Sequence, residues 1–242
     1  MRLTVDIGLV GAAALAVCAA TATAGPIFDE PPGGDAGNTI DTAEDVRTAT
    51  GEGDIGLIKG EIKGSGGYVG GFGDFQDLYR IYIADPLQFS AQTFALEPQG
   101  GLRDPMLYLF DEQGRGIMAM NNIGDDELQA KLVNDDGNGN LLFDTPGIYY
   151  LAITSAMSEA TVLYQNEIVP LFEMGLSEHQ VGLVVPHAPW FAEPLAGWTP
   201  PTDYENIGLY EIGLTGVVSL PIPGPGGMAV LGLATLGRRR RR

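Results

Sequence analysis

The chain reads as all-β: an antiparallel β-sandwich, flanked by an N-terminal signal helix and a short C-terminal hydrophobic helix. Three observations carry this expectation. Strand-length apolar runs recur between Gly, Pro, Asn and Asp turn signals, the spacing of a sandwich. Glycine is abundant, at 35 of 242 residues, lysine is scarce, and no long amphipathic helical period is present between the termini. Setting both ends aside leaves residues 25–220, enough chain for one well-filled core.

The N-terminus has the layout of a secretory signal peptide over residues 1–24. Arg2 supplies a positive start, Ile7 to Ala20 is apolar, and Ala22 and Ala24 are the small residues of an A-x-A cleavage site. Cleavage after Ala24 makes Gly25 the first mature residue. A lipid-modified reading would use Cys18, but Val17 is bulky directly before it. Cys18 is the only cysteine, so the mature chain has no disulfide, zinc-thiolate cluster or thiol nucleophile to draw on. Residues 25–37, "GPIFDEPPGGDAG", read as a Pro/Gly-rich linker or disordered leader.

The sandwich occupies residues 38–220. "GLIKGEIKG" (Gly56 to Gly64) alternates Leu57, Lys59 and Glu61 with Ile58 and Ile62. "DLYRIYIA" (Asp77 to Ala84) sets Leu78, Arg80 and Tyr82 on one face and Tyr79, Ile81 and Ile83 on the other. "LQFSAQTF" alternates from Leu87 to Phe94, and "PMLYLFDEQG" (Pro105 to Gly114) is a strand running into a turn. "NLLFD" and "GIYYLAIT" flank the Pro146-Gly147 turn, and Tyr210 to Leu220 makes a last strand. Between them, residues 156–208 form a long excursion that is expected to pack its aromatics onto the sandwich or close a sheet edge. Within it, "LFEMGLSEHQVG" (Leu171 to Gly182) has room for one or two helical turns.

At the C-terminus, three alternate prolines (Pro221, Pro223, Pro225) precede twelve uncharged residues, Gly226 to Gly237, and five arginines close the chain. Twelve residues of helix span roughly 18 Å, short of the ~30 Å hydrocarbon core. The arginines would stay on the cytoplasmic side. This tail resembles the PEP-CTERM class of bacterial sorting signals, with Pro223-Gly224-Pro225 standing where that class has Pro-Glu-Pro and Arg238, Arg239 and Arg240 opening the basic cluster. The resemblance implies export by the secretion machinery, processing by an exosortase-like membrane protease, and only transient membrane contact.

A second resemblance covers about residues 38–155. "GDFQDLYRIYI", "DPMLYLFDEQGRGIMAMNN" and "TPGIYYLAIT" resemble the bacterial pre-peptidase C-terminal (PPC-like) domain. Asp104, Leu107, Leu109, Asp111 and Gly114 fit its strand-turn element, and Gly147, Tyr149 and Ile153 its closing strand. The resemblance implies a jelly-roll sandwich serving as an accessory module without catalytic residues of its own.

Charge narrows the partners. Without the signal segment and the terminal arginines, seven basic residues face thirty acidic ones. Such a surface repels nucleic acid and anionic membranes and favours cations. The expected cation is structural Ca²⁺, in "NDDGNGN" (Asn134 to Asn140), where Asn134, Asp135, Asp136 and Asn138 place oxygen-bearing side chains between glycines. The EF-hand spacing fails at its last ligand, where Thr145 replaces glutamate. The same residues also suit a solvated hairpin turn, and "NNIGDDE" (Asn121 to Glu127) is a second acidic stretch. "GSGGYVGGFGDF" lacks the G-K-[ST] of a phosphate loop. His179 and His187 are the two histidines, and no G-x-S-x-G elbow supports a serine nucleophile.

The function expected is a secreted, non-catalytic component of the cell surface or extracellular matrix. A second reading is an extracellular polysaccharide-binding module, with Trp190, Phe191, Trp198 and Tyr204 as a sugar-stacking platform. A third is a secreted hydrolase, which requires a cleft with converging polar groups and a perturbed carboxylate or histidine.

Overall fold

The computed structural model describes residues 25–31, 34–48, 53–64, 73–96, 100–172, 181–201 and 203–219. The signal segment, with Ala24, and the tail, with Pro223, Gly224, Pro225, Arg238, Arg239 and Arg240, lie outside the described residues, as do most of the glycine-rich loop and His179. The two flanking helices expected from the sequence fall in those segments.

The described chain is built of strands. In order they are β1 (Ile27–Asp29), β2 (Glu44–Asp45), β3 (Gly53–Asp54), β4 (Leu57–Ile62), β5 (Gln76–Ile83), β6 (Ser90–Thr93), β7 (Pro105–Phe110) and β8 (Gly116–Met120). Then follow β9 (Lys131–Val133), β10 (Gly147–Ser155), β11 (Ala160–Tyr164), β12 (Glu167–Pro170), β13 (Leu183–Val184), β14 (Leu195–Trp198), β15 (Gly208–Thr215) and β16 (Val218–Ser219). Two sheets dominate, ordered β1-β4-β15-β6-β9 and β13-β8-β7-β10-β5-β2. Smaller pairings join β12-β11-β14 and β16-β3. All pairs are antiparallel except β1 with β4 and β2 with β5.

The two large sheets face each other across one core. Ile58 and Ile62 of β4, Ile212 and Leu214 of β15, and Leu132 of β9 meet Tyr79, Ile81 and Ile83 of β5, Leu109 of β7 and Leu151 of β10. The alternation in "GLIKGEIKG" holds, since Ile58 and Ile62 have no accessible surface. The opposite face of β5 is buried in its first half: Leu78 joins a second cluster with Met106, Tyr108, Phe110, Ala152 and Phe172. All six residues of β7 are buried. A sheet buried on both faces needs a third layer, and the 156–208 excursion supplies it. Ala160, Val162, Leu171 and Phe172 cover that face, and β13 pairs with β8 at the sheet edge. The excursion thus does both things expected of it. Leu171 and Phe172 are buried core residues, and residues 173–180 of the helical candidate lie outside the described residues.

Three expectations are corrected. Residues 25–37 are not merely a leader: β1 pairs in parallel with β4, and Phe28 is buried, edge-on to Tyr79 at 5.9 Å. Short extended chain between Pro26 and Pro31 suits an edge strand, where missing N–H donors cost nothing. "NLLFD" is not a strand. The Asn134 Oδ1 accepts from Leu142 N and Phe143 N, taking amides that a ladder would need, and the strand on this stretch is β9, just before it. Finally, the last strand divides at Gly216, whose φ of +73° and close approach to the Asp85 carbonyl suit glycine alone.

A carboxylate cluster beneath a cavity, and an aromatic groove beside it

The distinctive site lies where the N-terminal segment crosses β5. Asp77 follows the inward period of Tyr79, Ile81 and Ile83, so its side chain points into the sandwich and has no accessible surface. Asp74 sits at the mouth of the β4–β5 hairpin, where Gly64 and Asp74 exchange both backbone hydrogen bonds. Asp35 is held by its own turn: Gly37 N donates to its Oδ1 at 2.7 Å. That turn is in turn pinned to the sheets by Leu78 N donating to Gly37 O, Glu44 N donating to Ala36 O, and Lys63 Nζ donating to Gly34 O. Any Cβ on Gly37, at φ +73°, would strike the Thr42 carbonyl.

The result is that one carboxylate oxygen from each of Asp35, Asp74 and Asp77 lies within 4.8 Å of the others. The cluster lies under a cavity of about 410 Å³ lined by Asp35, Asp74, Asn38 and Gln76 among others. Asp77 is oriented from the opposite sheet. Tyr210 of β15 donates to its Oδ2 at 2.5 Å and accepts from Tyr79 at 2.5 Å. Gly60 makes room for this, since a Cβ there would collide with the Tyr210 hydroxyl. The Asp77 Oδ1 and Asp74 Oδ1 are buried without a hydrogen-bond partner.

Electrostatics match the geometry. Burial pushes Asp77 well above the usual carboxylate range, with the Asp74 charge adding to it. Asp74 is pushed up to about 6, by burial first and the Asp35 charge second. Burial also raises Glu30, whose Oε1 lies 3.6 Å from Lys63 Nζ, while Asp74 lies 3.9 Å from the same ammonium. One ammonium is therefore shared between two carboxylates, Glu30 and Asp74. Buried carboxylates so placed either hold protons or hold a cation. Three hard oxygen donors suit Ca²⁺ or Mg²⁺ over softer metals. The three oxygens all lie within 4.8 Å of one another, close enough for one cation to bridge, and donors drawn from a turn, a hairpin mouth and a strand suit the flexible shell of Ca²⁺ better than the rigid octahedron of Mg²⁺. The arrangement suits glycoside hydrolysis less well, because such carboxyls flank the scissile bond about 5 to 9.5 Å apart, whereas Asp77 is closed off below its neighbours.

The loop expected to hold calcium is otherwise employed. Asn134 is buried, and its Nδ2 donates to Pro86 O and Phe143 O. Asp135 Oδ1 accepts from Gly137 N and Gly139 N. Asp136 accepts from Asn138 N, Asn140 N and the Asn140 side chain, and the last of these leads in holding it down to about 2. The loop is a self-capped turn, and Asn138 takes part through its backbone and its side chain, both directed at Asp136. In the second acidic stretch Asn121 and Asn122 are buried, and Asp125, Asp126 and Glu127 lie exposed at a turn.

The four aromatics do not form one row. Trp198 packs edge-on against Tyr108 and Phe110, and its Nε1 donates to Asn38 O at 2.7 Å. Tyr204 is 56% exposed and stands edge-on to Phe75 at 5.5 Å. These two line one groove of about 550 Å³, which shares Asn38, Gly73 and Gln76 with the cavity over the carboxylates. Trp190 instead packs against His187 and Tyr164, and Phe191 is exposed away from that lining.

Sequence reasoning passed over the carboxylate cluster, although a signal was available. Asp77 occupies an inward-facing position of an otherwise apolar register, where an unpaired acid is anomalous. No protein-family model matches the chain, and no curated protein matches it.

Proposed function

We propose that the chain is a secreted, non-catalytic β-sandwich of the bacterial cell surface or extracellular matrix, sorted through its C-terminal tail, whose fold is completed by a calcium ion at Asp35, Asp74 and Asp77. The observation that carries the calcium reading is the fully buried Asp77 carboxylate, oriented by Tyr210 and left with one oxygen unpartnered, in a cluster with two further carboxylates. Calcium would join the N-terminal segment to β5 and, through Tyr210, to the opposite sheet. Water from the cavity side would complete the six to eight oxygens the ion takes. The role is structural: the ion would replace repulsion among acids with a cross-link between elements distant in sequence. A jelly-roll topology is part of the proposal and is supported by the path of the chain, which passes between the two large sheets at β4–β5, β5–β6, β6–β7, β8–β9 and β9–β10.

Isothermal titration of the calcium-depleted chain from Gly25 to Leu220 tests this. One site per chain is expected, lost in Asp77→Asn. At calcium about 100 times its Kd the fold gains about 2.7 kcal/mol, or about 5 to 10 °C in Tm for a chain of this size. Absence of binding heat together with an unchanged Tm would sink the calcium reading.

A further inference from the structure

We propose that the groove between Phe75, Trp198 and Tyr204 is a binding site for a neutral polysaccharide. The groove has a volume of about 550 Å³, within the range of small-molecule sites. In a chain with 31 acidic residues, none of the described side chains lining it is charged. A charged polymer would find no counter-charge there, and an anionic one would meet repulsion from the surrounding acids. What the groove offers is aromatic and proline surface (Trp198, Tyr204, Pro200, Pro201) bordered by the amides of Asn38 and Gln76. The faces of a pyranose ring are apolar C–H surface and its rim is hydroxyl, so this pairing of stacking surface with amide donors and acceptors matches a neutral sugar.

The groove is preorganised. Trp198 is fixed by its hydrogen bond to Asn38 O and by two edge-on ring contacts. Gln76 Nε2 donates to Ser158 Oγ at 2.6 Å, and Ser158 Oγ donates to Thr199 O at 2.9 Å, tying one amide wall to the strand beside Trp198. Tyr204 is carried on a turn capped by Asp203, which accepts from Glu205 N, and anchored by Asn206, which accepts from Arg103 N and Asp104 N. Ligand entry therefore freezes few side chains, which favours affinity. None of the three carboxylates lines the groove, so this inference stands apart from the calcium reading.

Affinity electrophoresis in native gels tests it, with the mature chain run through a β-1,4-glucan, a β-1,3-glucan and a galactomannan, and through alginate as the anionic counterpart. Retardation by at least one neutral polymer and not by alginate is expected. Tyr204→Ala, at a half-exposed position, should weaken that retention by about tenfold. Phe191→Ala, an exposed aromatic outside the groove, should leave it unchanged. Free migration in all three neutral gels, stronger retardation in alginate, or equal loss in both variants would overturn the proposal.

Discussion

Asp77 concentrates the chemistry of this protein in one side chain. A carboxylate without accessible surface, raised well above its ordinary range by burial, destabilises the fold when ionised unless something pairs with it. Tyr210 occupies one of its oxygens and leaves the other unpaired. In the calcium-free protein the folded state keeps a proton on Asp74 up to about pH 6, whereas the unfolded chain releases it near 3.8. The folded state then binds more protons than the unfolded one across that window, so stability falls as pH rises from about 4 to about 6. The shift on Asp77, raised by burial, acts in the same direction. On the calcium reading both groups must be ionised to hold the ion, so its stabilisation should grow over the same range. Melting curves at pH 5 and pH 7, with calcium and with EDTA, should show the larger calcium gain at pH 7 and the more stable calcium-free protein at pH 5. Asp77 was detectable in the sequence as an acid on the inward period of β5. Its partners were not: Asp35 lies 42 residues away in sequence, and only the fold brings it within reach.

Among the elements, β1 shows how short a segment can matter. Four residues between prolines gave no periodic signal, and composition alone marked the stretch as linker. Phe28 nonetheless enters the main core, and the chain after it delivers Asp35 to the carboxylate cluster. Phe28→Ala should cost about 3 kcal/mol, seen as a lower midpoint in urea unfolding; a midpoint equal to wild type would return this segment to the status of a leader. The longer strands were easier to read. β4, β5, β7, β10 and β15 all lie where apolar alternation or an apolar run placed them, because packing one face on a core imposes a period of two. The run "NLLFD" had the right composition and failed because one side chain, Asn134, captured its amides. The loop from Asn134 to Asn140 poses a related ambiguity. Asn, Asp and Gly serve a self-capped turn and a metal loop alike, and only the hydrogen-bond partners separate the two.

Taken whole, the molecule has three layers: two sheets around the main core, and the excursion sealing the outer face of the second sheet through Phe172, Val162 and Leu171. The excursion also carries Trp198 and Tyr204 to the β5 side, where the aromatic groove adjoins the carboxylate cavity. On the sorting reading, the protein recovered from its native cells should lack Arg238 to Arg242, and mass spectrometry of the intact chain checks this; a mass that retains Arg242 would argue for a kept anchor instead. Strand-rich architecture was legible from local pattern, because backbone pairing and one-sided burial write a short period into the chain. Which strands are buried on both faces, which aromatics share a groove, and which acids converge under a cavity were decided by tertiary structure. Those properties depend on contacts between residues far apart in sequence, and no local period records them.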